Sequence, residues 1–228
     1  MISAFNVNRQ NNKIDGKIVV ALERIAEAFR VLLWNESKEN SLSPIQIQIL
    51  IFIFFHANDK CTVSYLAKEF NLSKPTISES IKLMEQKGFI KKIADAADCR
   101  SYSIALTAAG KLTAEKSSNF AFAIEKPLGS LTGEKKEIIL SALLDLIYDL
   151  NQKGIITVQR MCFTCSNYQK KNGKHFCNLL QSVLSANELR VDCAEHEPVL
   201  WVKYLTTLQP YISVWNLHAK MPIEILQL

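Results

Sequence analysis

Hydrophobic residues near the start of the chain recur at helical spacing. Ile18, Leu22, Ile25, Phe29 and Leu32 follow one another at steps of three or four residues, which places them on one stripe of a helix. Such a stripe has to be buried against another surface. The pattern therefore predicts an amphipathic helix with a packing partner.

A denser apolar run follows at 45–55 and carries two conflicting patterns. Isoleucine or phenylalanine occupies every second position from Ile45 to Phe55, as in a strand, but the intervening Leu50, Phe52 and Phe54 remove the polar face. The Ser43-Pro44 pair is typical of a helix start, because serine caps a helix and proline fits its first turn. A helix over 45–56 is favoured, with a strand as the alternative.

The next segment predicts two helices joined by a tight turn. Thr62 begins one that runs to Phe70, and Ser73 caps a second that runs from Lys74 to Lys87. This arrangement predicts a helix-turn-helix. The exposed face of the second helix is expected to be small or cationic and able to enter a DNA major groove, and it comprises Lys74, Thr76, Ser78, Ser80 and Lys82. The alternative is an ordinary polar helix surface.

A hairpin is predicted directly after the second helix. Gly88 suits a helix end that requires positive φ, and strands are expected at 90–93 and 102–106. The connection between them includes Asp98 and Arg100. A hairpin in this position is a wing, and Arg100 at its tip could reach a minor groove with Asp98 orienting it.

These motifs together resemble the MarR family of winged-helix regulators over roughly residues 15–155. The matching segments, in order, are Leu72-Ser-Lys-Pro-Thr-Ile-Ser78, Lys87-Gly-Phe-Ile90, Asp98-Cys-Arg-Ser101 and Leu106-Thr-Ala-Ala-Gly110. The resemblance implies that residues 73–82, including Ser73 and Pro75, lie in the major groove of double-stranded DNA. It also implies that Arg100 reaches the minor groove, supported by Asp98.

The same resemblance implies a homodimer formed through the first and last helices. Thr132 is suited to start the last helix, whose apolar residues are Ile138, Ile139, Leu143, Leu146, Ile147 and Leu150. A monomer would leave both apolar stripes exposed. The wing holds two aspartates and one arginine, fewer basic residues than the family usually has, so its contact with DNA is expected to be modest.

Four of the six cysteines are clustered after residue 160, as Cys162-x2-Cys165-x11-Cys177-x15-Cys193. Two thiolates two residues apart can reach one ion, and thiols in a reducing compartment are more often metal ligands than disulfides. Four cysteine ligands are favoured, and three cysteines with His196 are the close alternative, with His175 as a further neighbour. Across 160–198 the chain also resembles MarR-like proteins that carry a cysteine-rich tail.

The identity of the metal is left open by this pattern. A closed site of four thiolates predicts structural zinc, whereas the same ligands could hold an iron–sulfur cluster and make the tail a redox or iron sensor. The simplest alternative is that the four cysteines are small buried apolar residues.

Composition sets wider limits on the chain. Its 228 residues, 48% hydrophobic and 21% charged, predict a globular protein of two domains, here 1–157 and 158–228. A net charge of +5 is only mildly basic and does not by itself indicate nucleic acid. The first twenty residues show no export signal and the apolar run at 45–55 is too short to span a membrane, so a cytoplasmic location without membrane contact is expected.

The sequence therefore predicts a mainly helical fold with a small β wing and a cysteine-rich C-terminal module. The expected function is a sequence-specific, homodimeric transcriptional repressor that binds double-stranded DNA, with no assigned small-molecule effector. An enzyme or electron carrier is a weaker alternative, because no catalytic triad, phosphate loop or dinucleotide motif is present. A winged helix used only for protein interaction is a third possibility.

Overall fold

The computed structural model describes residues 3–94 and 102–199, and the chain divides into two units between Gln159 and Arg160. The first unit is predominantly helical, which confirms the predicted fold class. Its helices are α1 (Val7–Asn12), α2 (Ile14–Asn40), α3 (Pro44–Phe55), α4 (Val63–Glu69), α5 (Lys74–Gln86), α6 (Ala108–Ser117), α7 (Phe122–Leu128) and α8 (Gly133–Gln152).

The apolar run at 45–55 forms helix α3, so the helical prediction is confirmed. Ser43 Oγ accepts a hydrogen bond from the Gln46 backbone N–H at 3.4 Å, and Gln46 Oε1 accepts one from the Ser43 N–H at 2.9 Å. This reciprocal capping satisfies two backbone donors that a helix start otherwise leaves unpaired. Apolar residues occur on all sides of α3 because it lies at the centre of the core, where Ile47, Ile49 and Leu50 are fully buried.

Helices α4 and α5 form the predicted helix-turn-helix. Thr62 caps α4 through the Tyr65 N–H, and Ser73 caps α5 through the Thr76 N–H. The inner face of α5 is buried in the same core as α3 through Ile77, Ile81 and Met84, each with no exposed surface. The opposite face of α5 is therefore left toward solvent.

The C-terminus of α5 is closed by a glycine in the left-handed region. Gly88 has φ +77°, its N–H donates to the Glu85 carbonyl, and the Phe89 N–H donates to the Met84 carbonyl, both at 3.0 Å. This pair of bonds is a Schellman motif, which satisfies the last carbonyls of the helix. It turns the chain into strand β1 (Ile90–Ala94), which pairs antiparallel with β2 (Tyr102–Leu106) as predicted.

A close backbone contact joins the start of the hairpin to helix α6. Thr107 caps α6 through the Gly110 N–H at 3.1 Å, and its hydroxyl donates to the Gly88 carbonyl at 2.6 Å. A Cβ atom at Gly110 would lie 1.9 Å from the Phe89 carbonyl oxygen. Only glycine fits at this position, which explains the glycine of the Leu-Thr-x-x-Gly segment.

The second unit contains a three-stranded antiparallel sheet that the sequence analysis did not predict. Its strands are β3 (Tyr168–Lys171), β4 (Lys174–Cys177) and β5 (Ser182–Leu184), in the order β3-β4-β5. Asn172 and Gly173 connect β3 to β4 with φ of 51° and 77°. Two successive residues at positive φ are the geometry of the tight hairpin turn that Asn-Gly favours.

Helices α2 and α8 each have an uncovered apolar face. In α2 the exposed side chains include Ile18, at 50%, and Ile25, at 47%, and in α8 they include Ile138, at 62%. Leu144 is the one residue of α8 that is buried in the described structure. None of the helices in the described part of the chain is long and apolar enough to cross a membrane.

The Gly110 contact gives a direct test of this packing. Gly110→Ala is expected to destabilise the protein by about 3 kcal/mol, because the new methyl group overlaps the Phe89 carbonyl. Gly133→Ala is the control: it lies in a helix with open space around it and should stabilise by roughly 0.5 kcal/mol. Urea unfolding measures both, and equal midpoints for the two variants would contradict the contact.

Candidate nucleic-acid interface and metal centre

The N-terminal half of α5 presents most of the predicted DNA-contacting residues to solvent. Six of the seven helix positions are exposed: Ser73, Lys74, Pro75, Thr76, Ser78 and Lys82. In the parts of the chain described, Lys74 and Lys82 form no ion pair. Lys74 lies in the first turn of α5, where the partial positive charge of the helix N-terminus adds to its own, and Lys82 lies about two turns further along the helix.

Ser80 does not belong to this face, so the expectation that it is exposed is wrong. Its exposed fraction is 8%, and its hydroxyl donates to the Thr76 carbonyl at 3.1 Å. Ser80 lies three residues after Ile77 and one before Ile81, both fully buried, so its side chain turns toward the core. The sequence pattern had placed it with the polar residues because serine is polar.

The predicted wing residues Asp98 and Arg100 lie outside the described residues. The base of the wing is described, and there Lys92 Nζ donates to Glu85 Oε2 of α5 at 2.6 Å and lies 5.3 Å from the Tyr102 ring centroid. The hydrogen bond with Glu85 raises the pKa of Lys92. This contact joins strand β1 to the end of α5, and it was not anticipated from the sequence.

The four clustered cysteines line one small cavity in the second unit. Cys162, Cys165, Cys177 and Cys193 surround a space of about 30 Å³. Cys165 and Cys162 are held in a tight turn by a Cys165 N–H to Cys162 carbonyl bond of 3.0 Å, and Cys177 ends strand β4. The fold therefore brings together residues that lie far apart in sequence.

Arg190 supports two of these sulfur atoms. Its backbone N–H donates to Cys162 Sγ at 3.2 Å, and its guanidinium Nη1 donates to Cys193 Sγ at 3.6 Å. Burial raises the pKa of Cys162, the Arg190 N–H lowers it, and the three other thiols raise it by repulsion. Several thiolates in this space would repel one another, so charge compensation by a cation is required for them to ionise together.

An ion pair fixes the chain on either side of the cavity. Arg160 is buried, with only 7% of its surface exposed. Its guanidinium donates from Nε and Nη2 to the two carboxylate oxygens of Asp192, both at 2.7 Å. The Cys193 N–H donates to the Arg160 carbonyl at 2.9 Å. The Arg160–Asp192 pair therefore holds the chain just before Cys162 against the chain just before Cys193.

The two histidines near the cysteines have other partners. His196 Nε2 lies 3.0 Å from Thr164 Oγ1, and His175 Nδ1 lies 2.6 Å from the Tyr168 hydroxyl. Neither histidine lines the cavity that the four cysteines share. This arrangement favours four cysteines over three cysteines with His196.

The thiols do not yet form a coordination sphere. In the described ranges no group of three or more His, Cys, Asp or Glu side chains is arranged to hold a metal ion as it stands. Ion binding would therefore require the sulfur atoms to move toward a common point within the cavity.

Cys61 is separate from this cluster and is fully buried in the first unit. Its thiol donates to the Ala57 carbonyl at 3.4 Å, and burial raises its pKa to about 11.

Comparison with known proteins agrees with the architecture of the first unit. The model of the MarR family matches residues 40–101. The organic hydroperoxide resistance transcriptional regulator of Bacillus subtilis (strain 168) is 31% identical over 107 residues, which cover 47% of this chain and 72% of the relative. The chain belongs to the MarR family.

Solved structures of other MarR-like chains show the same fold. S. aureus MepR in its DNA-binding conformation aligns with a TM-score of 0.52 and 23% identity, covering 58% of this chain and 98% of MepR. The S. aureus MepR–DNA complex gives a TM-score of 0.51 and 23% identity, covering 58% and 97%. This chain of the MarR family accordingly has the winged-helix fold.

Reasoning from sequence missed the residues that organise the cysteine cavity of this MarR-family chain. Arg190 and Asp192 both precede Cys193 in the segment Leu-Arg-Val-Asp-Cys, and Arg160 precedes Cys162 by two residues. Charged residues this close to clustered cysteines were a usable signal. Their pairing was not, because it joins residues 32 positions apart.

The ion pair predicts a local effect on stability. Asp192→Asn should speed amide exchange at residues 190–193 by about tenfold, since loss of a charge-assisted pair costs roughly 1.5 kcal/mol. Glu197→Gln is the matched control, because Glu197 is an acid of the same unit that accepts a bond from Ser166 at 3.3 Å. Hydrogen exchange followed by mass spectrometry separates the two, and unchanged exchange in Asp192→Asn would count against the pair.

Proposed function

We propose that this chain is a DNA-binding repressor that inserts the N-terminal half of α5 into the major groove. The main support is the exposure of Ser73, Lys74, Thr76 and Ser78 at the start of α5, where the helix dipole adds partial positive charge. Small hydroxyl side chains can approach base edges, and the lysines can neutralise phosphates. Arg100 is assigned to the minor groove on the sequence resemblance alone.

The proposed active form is a homodimer. The uncovered apolar faces of α2 and α8 would be unfavourable in water, and a second copy offers surfaces of matching character. A twofold dimer places two copies of α5 side by side, which suits an operator with two inverted half-sites. Occupation of such an operator would repress transcription by blocking access to the promoter.

The relatives support this assignment. The B. subtilis relative is a transcriptional regulator of organic hydroperoxide resistance, and MepR has been crystallised with DNA. We extend DNA binding to this chain because the fold and the exposed face of α5 are both present. The effector is not assigned.

Binding to DNA can be tested through its salt dependence. Using a duplex selected from random sequence by the wild-type protein, Lys74→Ala and Lys82→Ala should each weaken binding and reduce the slope of log affinity against log salt by about one. Lys136→Ala, on the exposed surface of α8, is the control and should leave the slope unchanged. Two chains should bind each duplex.

Two results would refute this assignment. The first is that the wild-type protein retains no duplex at all. The second is that both lysine variants bind with the same slope of log affinity against log salt as the wild type.

We further propose that Cys162, Cys165, Cys177 and Cys193 bind one zinc ion. Four thiols that line one cavity match the ligand set of a closed tetrahedral zinc site, which is a common structural metal site in proteins. Zinc would neutralise the repulsion among the thiolates, and the N–H donors of Arg190 would offset the remaining negative charge. The role is structural, because four protein ligands leave no open position for a substrate.

Metal analysis tests the site. Purified protein should be colourless and hold about one zinc per chain, and Cys193→Ser should lose most of it because a ligand is removed. His196→Gln should retain zinc, which separates four cysteines from three cysteines with His196. Iron with sulfide and brown absorbance would replace this proposal with a cluster-based sensor, and absence of metal would leave the thiols as half-buried apolar groups.

A further inference from the structure

The turn of the helix-turn-helix is hydrogen-bonded to the segment that follows α8. Asn71 Nδ2 donates to the Ile155 carbonyl at 2.9 Å, and Thr157 Oγ1 donates to the Lys68 carbonyl. Lys68 lies in the last turn of α4, and Asn71 occupies the left-handed position of the turn with φ 55°. We call residues 154–157 the brace.

The brace is held in shape by the end of α8. Asn151 Nδ2 donates to the carbonyls of Ile156 and Thr157 at 3.1 and 2.6 Å. Gly154 has φ +69°, and the Ile155 N–H donates to the Leu150 carbonyl at 3.0 Å, so α8 also ends in a Schellman motif. The brace is therefore a shaped segment fixed to both α8 and the turn.

The position of the turn sets the position of the recognition helix. Asn71 is two residues before Ser73, the cap of α5, and three before Lys74. A shift of the turn therefore moves the exposed start of α5, which is the part proposed to contact DNA. Displacements of about 1 Å at such contacts are large compared with hydrogen-bond tolerances.

The other end of the brace runs into the cysteine module. Two residues, Val158 and Gln159, separate Thr157 from Arg160. Arg160 is bound to Asp192 through its side chain and to Cys193 through its carbonyl. A two-residue connection has little slack, so order at Arg160 restricts the conformations open to the brace.

We propose that the brace positions the recognition helix and makes operator affinity depend on the folding of the cysteine module. This inference rests on the proposed DNA binding, and the effect expected from removal of zinc also rests on the proposed zinc site. The coupling is a shared equilibrium: an ordered module favours the bound geometry of the turn, and a disordered module releases it.

The hydroxyl of Thr157 provides the test that is independent of metal. Thr157→Val keeps the shape and removes the donor, and it should weaken binding to the selected duplex about three- to tenfold. Thr157→Ser retains the hydroxyl and should bind within about twofold of the wild type. Asn71→Gly removes the side-chain donor while tolerating positive φ, and it should weaken binding by a similar factor. The salt slope should not change, because no phosphate contact is removed.

Removal of zinc tests whether the cysteine module affects DNA binding through the brace. Chelation of zinc should weaken duplex binding by wild type and Thr157→Ser but cause little further loss in Thr157→Val, because the two changes break one path. Equal factors of loss in all three proteins would overturn the coupling. Wild-type affinity in both Thr157→Val and Asn71→Gly would overturn the brace itself.

The prior proposals fail in recognisably different ways. Absence of duplex binding by the wild-type protein would refute DNA binding before any variant is compared. Absence of metal in the wild-type protein would refute the zinc site, and Asp192→Asn, which breaks the ion pair with Arg160, would then replace chelation as the means of disordering the module.

Discussion

Enclosure of α3 is the interaction on which the first unit depends. Ile47, Ile49 and Leu50 have no exposed surface, and α3 contacts α2, α5, α6 and β2. A helix that is apolar on most of its surface has to be largely covered, and each element packed against it contributes an apolar face. The exposed face of α5 is a consequence, since its inner face is committed to this core.

The local features of the fold could be predicted because they depend on neighbouring residues. The caps at Ser43, Thr62, Ser73 and Thr132 and the glycine at 88 marked helix ends that the structure places within a residue or two. Each of these signals acts over one turn of chain. The winged-helix fold followed from them together with the motif order.

Contacts between distant residues could not be predicted in the same way. Polarity placed Ser80 on the exposed face, but the phase of α5 against the core places it inside. The Asn-Gly turn at 172–173 was an available hairpin signal, whereas the pairing of Arg160 with Asp192 depends on a fold that local patterns do not specify. The cysteine cluster was predicted as a set, and its cavity is described, but occupation by a metal remains a proposal.

Burial gives Cys61 a chemical consequence for oxidation. Peroxides react with thiolates, and burial that raises the pKa of Cys61 to about 11 keeps its thiol protonated at pH 7. With no surface exposed to solvent, Cys61 is also out of reach of a peroxide. This cysteine therefore acts as a small apolar residue of the core, and it gives the winged-helix unit no sensitivity to oxidants.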